Sequence, residues 1–132
     1  MRNNTKNTRN IGNIGEDIAC RFLTKHGYRV LDRNYWAKWG EIDIVAKKSG
    51  KIYFVEVKSV SRKNPNSVIH ETSSYRPEEN IHRNKLKRLH RTLQTYLIAK
   101  DKEDVDWQID ALIVYMDFRN REASIEQIEN II

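Results

Sequence analysis

Two consecutive strand-like runs, Glu41-Ile42-Asp43-Ile44-Val45-Ala46 and Ile52-Tyr53-Phe54-Val55-Glu56-Val57-Lys58, limit what this chain can fold into. Both are apolar enough to be core strands, and Lys47-Lys48-Ser49-Gly50 between them is a hairpin signal. Each run nevertheless carries charge where a core strand should have none. An unpaired buried carboxylate or ammonium is too costly to keep, so these groups need a metal ion or one another. Side chains alternate along a strand, so Glu56 and Lys58 share one face while Val55 and Val57 take the other. Two carboxylates and a lysine converging at the ends of paired strands can hold a divalent cation and polarise a water, the equipment of a metal-dependent nuclease. The alternative is a buried ion pair of Asp43 or Glu56 with Lys58.

The surrounding pattern supplies the other elements. Asn13 to about His26 reads as a helix, with Ile14, Ile18, Ala19, Phe22 and Leu23 at helical spacing and Gly27 as its stop. Tyr28 to about Tyr35 alternates as a strand, and Trp36-Ala37-Lys38-Trp39-Gly40 turns the chain into the first charged run. Residues Ser59 to Glu79 show no periodicity and contain both prolines, as a long basic loop would. Asn80 to about Lys100 is an amphipathic helix with Leu86, Leu89, Leu93, Tyr96 and Leu97 on its buried side. A strand lies within Val105 to Asp117 and another near Ala123 to Ile128. The order is α-β-β-β-α-β-β, which makes an α/β fold with one mixed sheet flanked by helices.

At 132 residues the chain has room for one core. The domain is read as 11–132, preceded by a flexible basic arm over residues 1–10 that lacks the apolar stretch of a secretory signal. No window approaches the roughly 18 apolar residues of a membrane helix, and no membrane association is expected. Cys20 stands alone, which excludes an internal disulfide and a cysteine-based zinc site and suits a reducing cytoplasm. Charge is unevenly placed. From Lys58 to Arg91 there are nine Lys/Arg against three Asp/Glu, an excess equal to that of the whole chain, and from Asp101 onward nine acids face three bases. A basic segment directly after the charged strands suits a polyanionic substrate, although most charge runs are solvated helix faces.

With Asp43 and Glu56-x-Lys58 placed in that order, the chain resembles the PD-(D/E)xK, or restriction-endonuclease-like, superfamily. More closely it resembles the bacterial YraN family (UPF0102), related to archaeal Holliday-junction resolvases. The matching stretches are 12–19, 27–34, Gly40-Glu41-Ile42-Asp43-Ile44-Val45, Phe54-Val55-Glu56-Val57-Lys58, Lys85 with 89–97, and Trp107-Gln108-Ile109-Asp110. The family's arginine two positions after the motif lysine is Val60 here, and the 59–80 segment is longer than its common loop.

The resemblance implies a three-layer fold and an endonuclease. Asp43, Glu56 and the main-chain carbonyl of Val57 would bind Mg²⁺ or Mn²⁺, hard ions suited to oxygen ligands. Lys58 would stabilise the attacking water or the phosphorane-like transition state. Glu16 would complete the acidic cluster, as a helix glutamate does in resolvase-like relatives, unless Asn13-x-x-Glu16 is a capping box. Lys85 borders the buried helix stripe and would point at the site or a phosphate, or simply snorkel. Arg83, Lys87, Arg88 and Arg91 on the helix, with Arg62, Lys63 and Arg76 in the loop, would follow a nucleic-acid backbone. Glu41 shares a strand face with Asp43, and Trp36 and Trp39 could stack on an unpaired base or pack on the core.

The expected activity is metal-dependent hydrolysis of DNA, in preference to RNA, selected by junction-like or branched structure rather than by sequence. The rival reading is a catalytically silent nucleic-acid-binding protein of the same fold. A third places the chain as a subunit of a larger repair or uptake complex, docked through its acidic C-terminal region. A two-fold symmetric junction would favour a homodimer.

Overall fold

Short-range signals in the sequence fix where each element stops. A computed structural model describes residues 2–61 and 83–131, with side chains over 11–61 and 84–131. It runs α1 (Arg2–Lys25), β1 (Arg29–Ala37), β2 (Gly40–Lys48), β3 (Lys51–Ser61), α2 (Arg83–Ala99), β4 (Trp107–Asp117) and β5 (Glu122–Ile128). This is the expected α-β-β-β-α-β-β order. Arg62, Lys63 and Arg76 lie outside the described residues, as does the side chain of Arg83.

Gly27 ends α1 with φ +88, a left-handed conformation that costs a glycine little. The Gly27 amide donates to the Thr24 carbonyl at 3.2 Å and the Tyr28 amide to the Leu23 carbonyl at 2.9 Å, a Schellman motif. Tyr28 and Leu23 then join the same core. Between β2 and β3, Ser49 (φ 50) and Gly50 (φ 77) form a two-residue turn joining the Lys48–Lys51 pair. Two central residues with positive φ match the twist of the flanking strands.

The strands form one sheet in the order β1-β2-β3-β4-β5. β3 and β4 are parallel and every other neighbouring pair is antiparallel. On one face α1 packs Ala19 and Leu23 against Ile44, Ala46, Val55, Leu112 and Val114. On the other, α2 packs Leu89, Leu93, Tyr96 and Leu97 against Ile42, Val45, Phe54 and Ile109. The result is three layers with the sheet in the middle. β4 is covered on both sides, which is why Ile109 to Met116 is a continuous buried run rather than an alternating one.

Three boundaries and two side-chain placements differ from the sequence reading. Helix α1 begins at Arg2, so the segment read as an arm is helical. Ile14 is exposed, because the buried stripe of α1 runs through Gly15, Ala19 and Leu23 instead. β3 continues through Ser61, taking up the start of the supposed loop, because β4 offers it partners as far as Met116. Trp36 and Ala37 belong to β1, which narrows the turn to Lys38 and Trp39. Asp110, counted among the C-terminal acids, is fully buried rather than part of an acidic surface. Its carboxylate accepts from Gln108 Nε2 (2.7 Å), Gln127 Nε2 (3.1 Å) and the Asn130 amide (2.9 Å). Among the described residues no helix is long and apolar enough to cross a membrane.

Gly15 sets how closely α1 approaches the sheet. A Cβ there would collide with Ser59 Oγ and lie 3.0 Å from Ser59 Cβ, whereas one at Gly12 would meet nothing within 4 Å. Alanine is the better helix former by about 1 kcal/mol. Gly12→Ala should therefore stabilise by up to that amount. Gly15→Ala should instead destabilise by roughly 1–3 kcal/mol through overpacking. Urea unfolding of the two variants checks this, and Ser59→Ala should recover part of the Gly15→Ala loss. Equal effects of the two alanines would contradict the packing.

Candidate functional site

The site forms where the sheet splits. β2 and β3 pair in constant register from Lys48–Lys51 to Ile44–Val55 and no further. One more step would place Asp43 opposite Glu56, and another Ile42 opposite Val57. Instead β2 stays with β1 through Ile42–Tyr35, while β3 stays with β4 through Val57–Leu112. The Val57 amide, which a β2 carbonyl would otherwise accept, donates to Asp43 Oδ2 at 2.8 Å. At the split the alternation of β2 slips: Ile42 enters the core under α2, and Ile44 the core under α1. β1 departs at the same level, with Asn34 at φ 52 between the Arg33–Ile44 and Tyr35–Ile42 pairs. Asparagine is among the few residues that accept that conformation.

Asp43 and Glu56 are thus brought together on two strands, and neither is a normal carboxylate. Burial raises Asp43 to about 6; the Val57 amide and Lys85 oppose the rise, and Glu16 and Glu41 add to it. Burial, then the Asp43 charge, raises Glu56 to about 7, with Lys85 opposing and Glu41 and Glu16 adding. Near neutrality the two share protons as a pair. Lys85, on the first turn of α2, places Nζ 3.9 Å from Glu56 Oε2 with 54% of its side chain exposed. That separation makes a weak ion pair rather than a hydrogen bond. Lys85 thus brings a cation to Glu56 from α2. Lys58 is exposed on the same face of β3 as Glu56.

Glu16 approaches from the opposite layer. Helical residues precede Asn13, so Asn13 is not an N-cap and the capping-box reading of Glu16 is overturned. Its side chain is 16% exposed, with Oε1 3.6 Å from Arg33 Nη2. Arg33 makes its closer bond to Asp17, at 2.9 Å, and Glu16 Oε1 is buried without a hydrogen-bond partner among the described residues. Orphaned buried oxygens are rare in folded proteins and call for an explanation. Glu16 acts on Asp43 and Glu56 electrostatically, but among the described residues no three His, Cys, Asp or Glu side chains converge within ligating reach of one point.

In front of Glu56 lies an open groove of about 320 Å³, lined by Trp39, Gly40, Glu41, Glu56, Lys85, Arg88, Leu89 and Thr92. Glu41 is an exposed residue on its rim. Of the helix cations expected to meet a phosphate backbone, Lys85 and Arg88 line the groove, and Lys87 is exposed on α2. Two contacts escaped the sequence reading. Arg91 lies 4.7 Å over the Trp39 ring, with Lys38 5.2 Å from the same ring. Thr92 is fully buried, its Oγ1 3.5 Å from where a Gly40 Cβ would stand. A glycine directly after a two-residue turn was the available signal for that close approach.

The fold and site define an α/β protein with a carboxylate pair at a strand fork facing a basic groove. The chain belongs to the uncharacterised protein family UPF0102, which it matches over residues 15–114. The UPF0102 protein of Helicobacter hepaticus is 36% identical over 95% of this chain and 96% of its own length. That of Campylobacter jejuni strain 81-176 is 37% identical over 80% of this chain and 84% of its own length. Among solved structures, SfsA of Pyrococcus furiosus in complex with Ca²⁺ overlaps with a TM-score of 0.36 at 17% identity, covering 92% of this chain. The chain spans 63% of that protein.

Because both carboxyls hold their protons more tightly when folded than their ordinary 3.8 and 4.5, their contribution to stability is full below about pH 4. It is lost as pH rises through about 6 and 7. Thermal melts in EDTA should show wild type losing stability relative to Asp43→Asn across that window, since asparagine keeps an acceptor for the Val57 amide and removes the charge. A gap that stays constant with pH would contradict the assignment.

Proposed function

We propose that this chain is a metal-dependent nuclease that hydrolyses phosphodiester bonds in DNA. The observation that carries the reading is the pairing, at one fork, of two half-buried carboxylates with raised proton affinity beside a cationic groove. Structure alone has little use for such a pair, since burying like charges is costly and two apolar residues would close the fork more stably. Strongly shifted groups in a cleft mark functional sites. The order of acid, Glu-x-Lys and basic helix in this topology supports membership of the PD-(D/E)xK superfamily and kinship with archaeal Holliday-junction resolvases.

The donor set fits a hard divalent cation. Asp43 and Glu56 offer two carboxylates, the Val57 carbonyl a third oxygen, and Mg²⁺ or Mn²⁺ commonly keeps water in its remaining positions. Such an ion supplies positive charge at a phosphodiester and acidifies water there. The chain's own residues do the rest. The Val57 amide fixes Asp43 in one orientation, so its second oxygen is aimed rather than free to rotate. Lys85 holds Glu56 at the groove wall and, with Arg88, draws the phosphate backbone in. Lys58 places an ammonium where charge builds on the scissile phosphate, and water attacks in line with the departing oxygen. With no base-reading element in the groove, the substrate is selected by its structure, such as a branch or junction.

Cleavage of labelled single strand, duplex, flap and four-way junction with Mg²⁺ or Mn²⁺ tests the reading. Wild type should cut at least one substrate, and EDTA, Asp43→Ala or Lys58→Ala should each reduce the rate by at least about a hundredfold, as loss of a group that stabilises the transition state does. Binding to every substrate with no cutting by wild type would move the weight to a silent binder or a missing partner subunit. A separate check uses no turnover. Mn²⁺ at pH 7.5 should raise the melting temperature of wild type and leave that of the Asp43→Asn, Glu56→Gln double variant unchanged.

A further inference from the structure

The groove in front of the fork has one wall from the β1–β2 turn, with Trp39 and Gly40, and one from α2, with Lys85, Arg88, Leu89 and Thr92. Two contacts fix the turn against the helix. A Cβ on Gly40 would stand 3.5 Å from Thr92 Oγ1, and the Arg91 guanidinium lies 4.7 Å over the Trp39 ring. The indole is thereby held at the end of the groove near Thr92, and it is 38% exposed. Glu56 and Lys85 mark the other end. The helix from Lys85 to Thr92 makes the separation about 10 Å.

A volume of about 320 Å³ is at the small end for ligand pockets, so the groove takes a unit of one residue's size rather than a double helix. Its acids are Glu41 and Glu56, and its cations are Lys85 and Arg88, with Arg91 and Lys38 beside the indole. The cations outnumber the acids, which favours an anionic ligand. An acidic peptide would meet the cations but leave the indole without a planar partner. An indole flanked by cations suits a flat π system joined to a phosphate, and that is a nucleotide. A base inside a duplex is stacked on its neighbours and has to leave the stack to enter a pocket, so the nucleotide is an unpaired one.

We propose that this groove is a subsite for one unpaired nucleotide beside the fork, with Trp39 packed against its base and Arg88 on its phosphate. One nucleotide, from its phosphate to the far edge of its base, spans the length between Glu56 and the indole. Arg91 is a positioning residue that acts through Trp39. The inference rests on the nuclease reading only for the nucleic-acid class of ligand, and it requires no metal or cleavage. An unpaired nucleotide is what distinguishes a flap or an open branch from a continuous duplex, so the subsite selects the substrate of the carboxylate pair.

The test measures binding alone, in EDTA, by anisotropy of a short fluorescein-labelled oligothymidine and of a blunt duplex of matched charge. Trp39→Ala should weaken oligothymidine binding roughly tenfold or more, as loss of one stacked base does, and leave duplex binding unchanged. Trp39→Phe should restore most of the loss, which separates the ring's contact from the folding of the turn. Trp36 points to the other side of β1, since Tyr35 packs under α2 and side chains alternate, so Trp36→Ala should bind as wild type does. Wild type that fails to bind oligothymidine, a Trp39→Ala variant that binds it normally, or an equal loss on duplex or in Trp36→Ala would each overturn the subsite. The expected binding pattern without metal-dependent cutting in the cleavage assay would leave the subsite standing and remove the nuclease. Cutting by wild type with normal binding by Trp39→Ala would do the reverse.

Discussion

The hydrogen bond from the Val57 amide to Asp43 is the point on which the architecture turns. A sheet that splits must leave backbone groups without ladder partners, and a buried amide without a partner costs on the order of 1–3 kcal/mol. Here a side chain from the departing strand takes the place of its own backbone. That substitution lets β2 and β3 separate while both stay in the sheet, β2 with β1 and β3 with β4. It also fixes the orientation of one carboxylate. The same bond therefore closes the fork structurally and aims its chemistry.

Negative charge crowds the fork. Glu16 and Glu41 act on both Asp43 and Glu56, Asp43 acts on Glu56, and among the described residues Lys85 lowers the proton affinity of both central carboxyls. Lys85 is half exposed and stands 3.9 Å away, too far to settle the balance. Glu16, meanwhile, keeps an oxygen buried without a hydrogen bond among the described residues, because Arg33 bonds more closely to Asp17. A protein of ordinary marginal stability keeps so unfavourable a cluster only where the cost serves a purpose. Protons, a divalent cation and the groove cations are the available ways to relieve it.

How much of this was legible depended on the physical range of each signal. The α-β-β-β-α-β-β order and the Ser49-Gly50 hairpin follow from periodicity and turn chemistry, which act over a few residues. Asp43 and Glu56 stood out because charge interrupts an apolar run. Lys85 as the partner of Glu56 was open, since it depends on how α2 sits over the sheet, and Lys58 two residues from Glu56 was the nearer candidate. The Asn13-x-x-Glu16 pattern misled because a capping box is defined by where the helix starts, and α1 starts at Arg2. Asp110 looked like one more surface acid because the glutamines and the Asn130 amide that satisfy it come from both sides in sequence and in space. Ile14 sits at helical spacing with Ile18, yet the close approach at Gly15 rotates the stripe past it.

The mixed pairing of the sheet also divides the site between contacts near and far in sequence. Asp43 and Glu56 belong to adjacent strands of an antiparallel hairpin whose two-residue turn closes a short loop, an event of microseconds. Lys85 arrives only with α2, on the crossover that the parallel β3–β4 pair requires, and closing so long a connection is entropically costly and slow. The two acids are therefore brought together by contacts close in sequence, whereas the cation that tempers them depends on contacts distant in sequence.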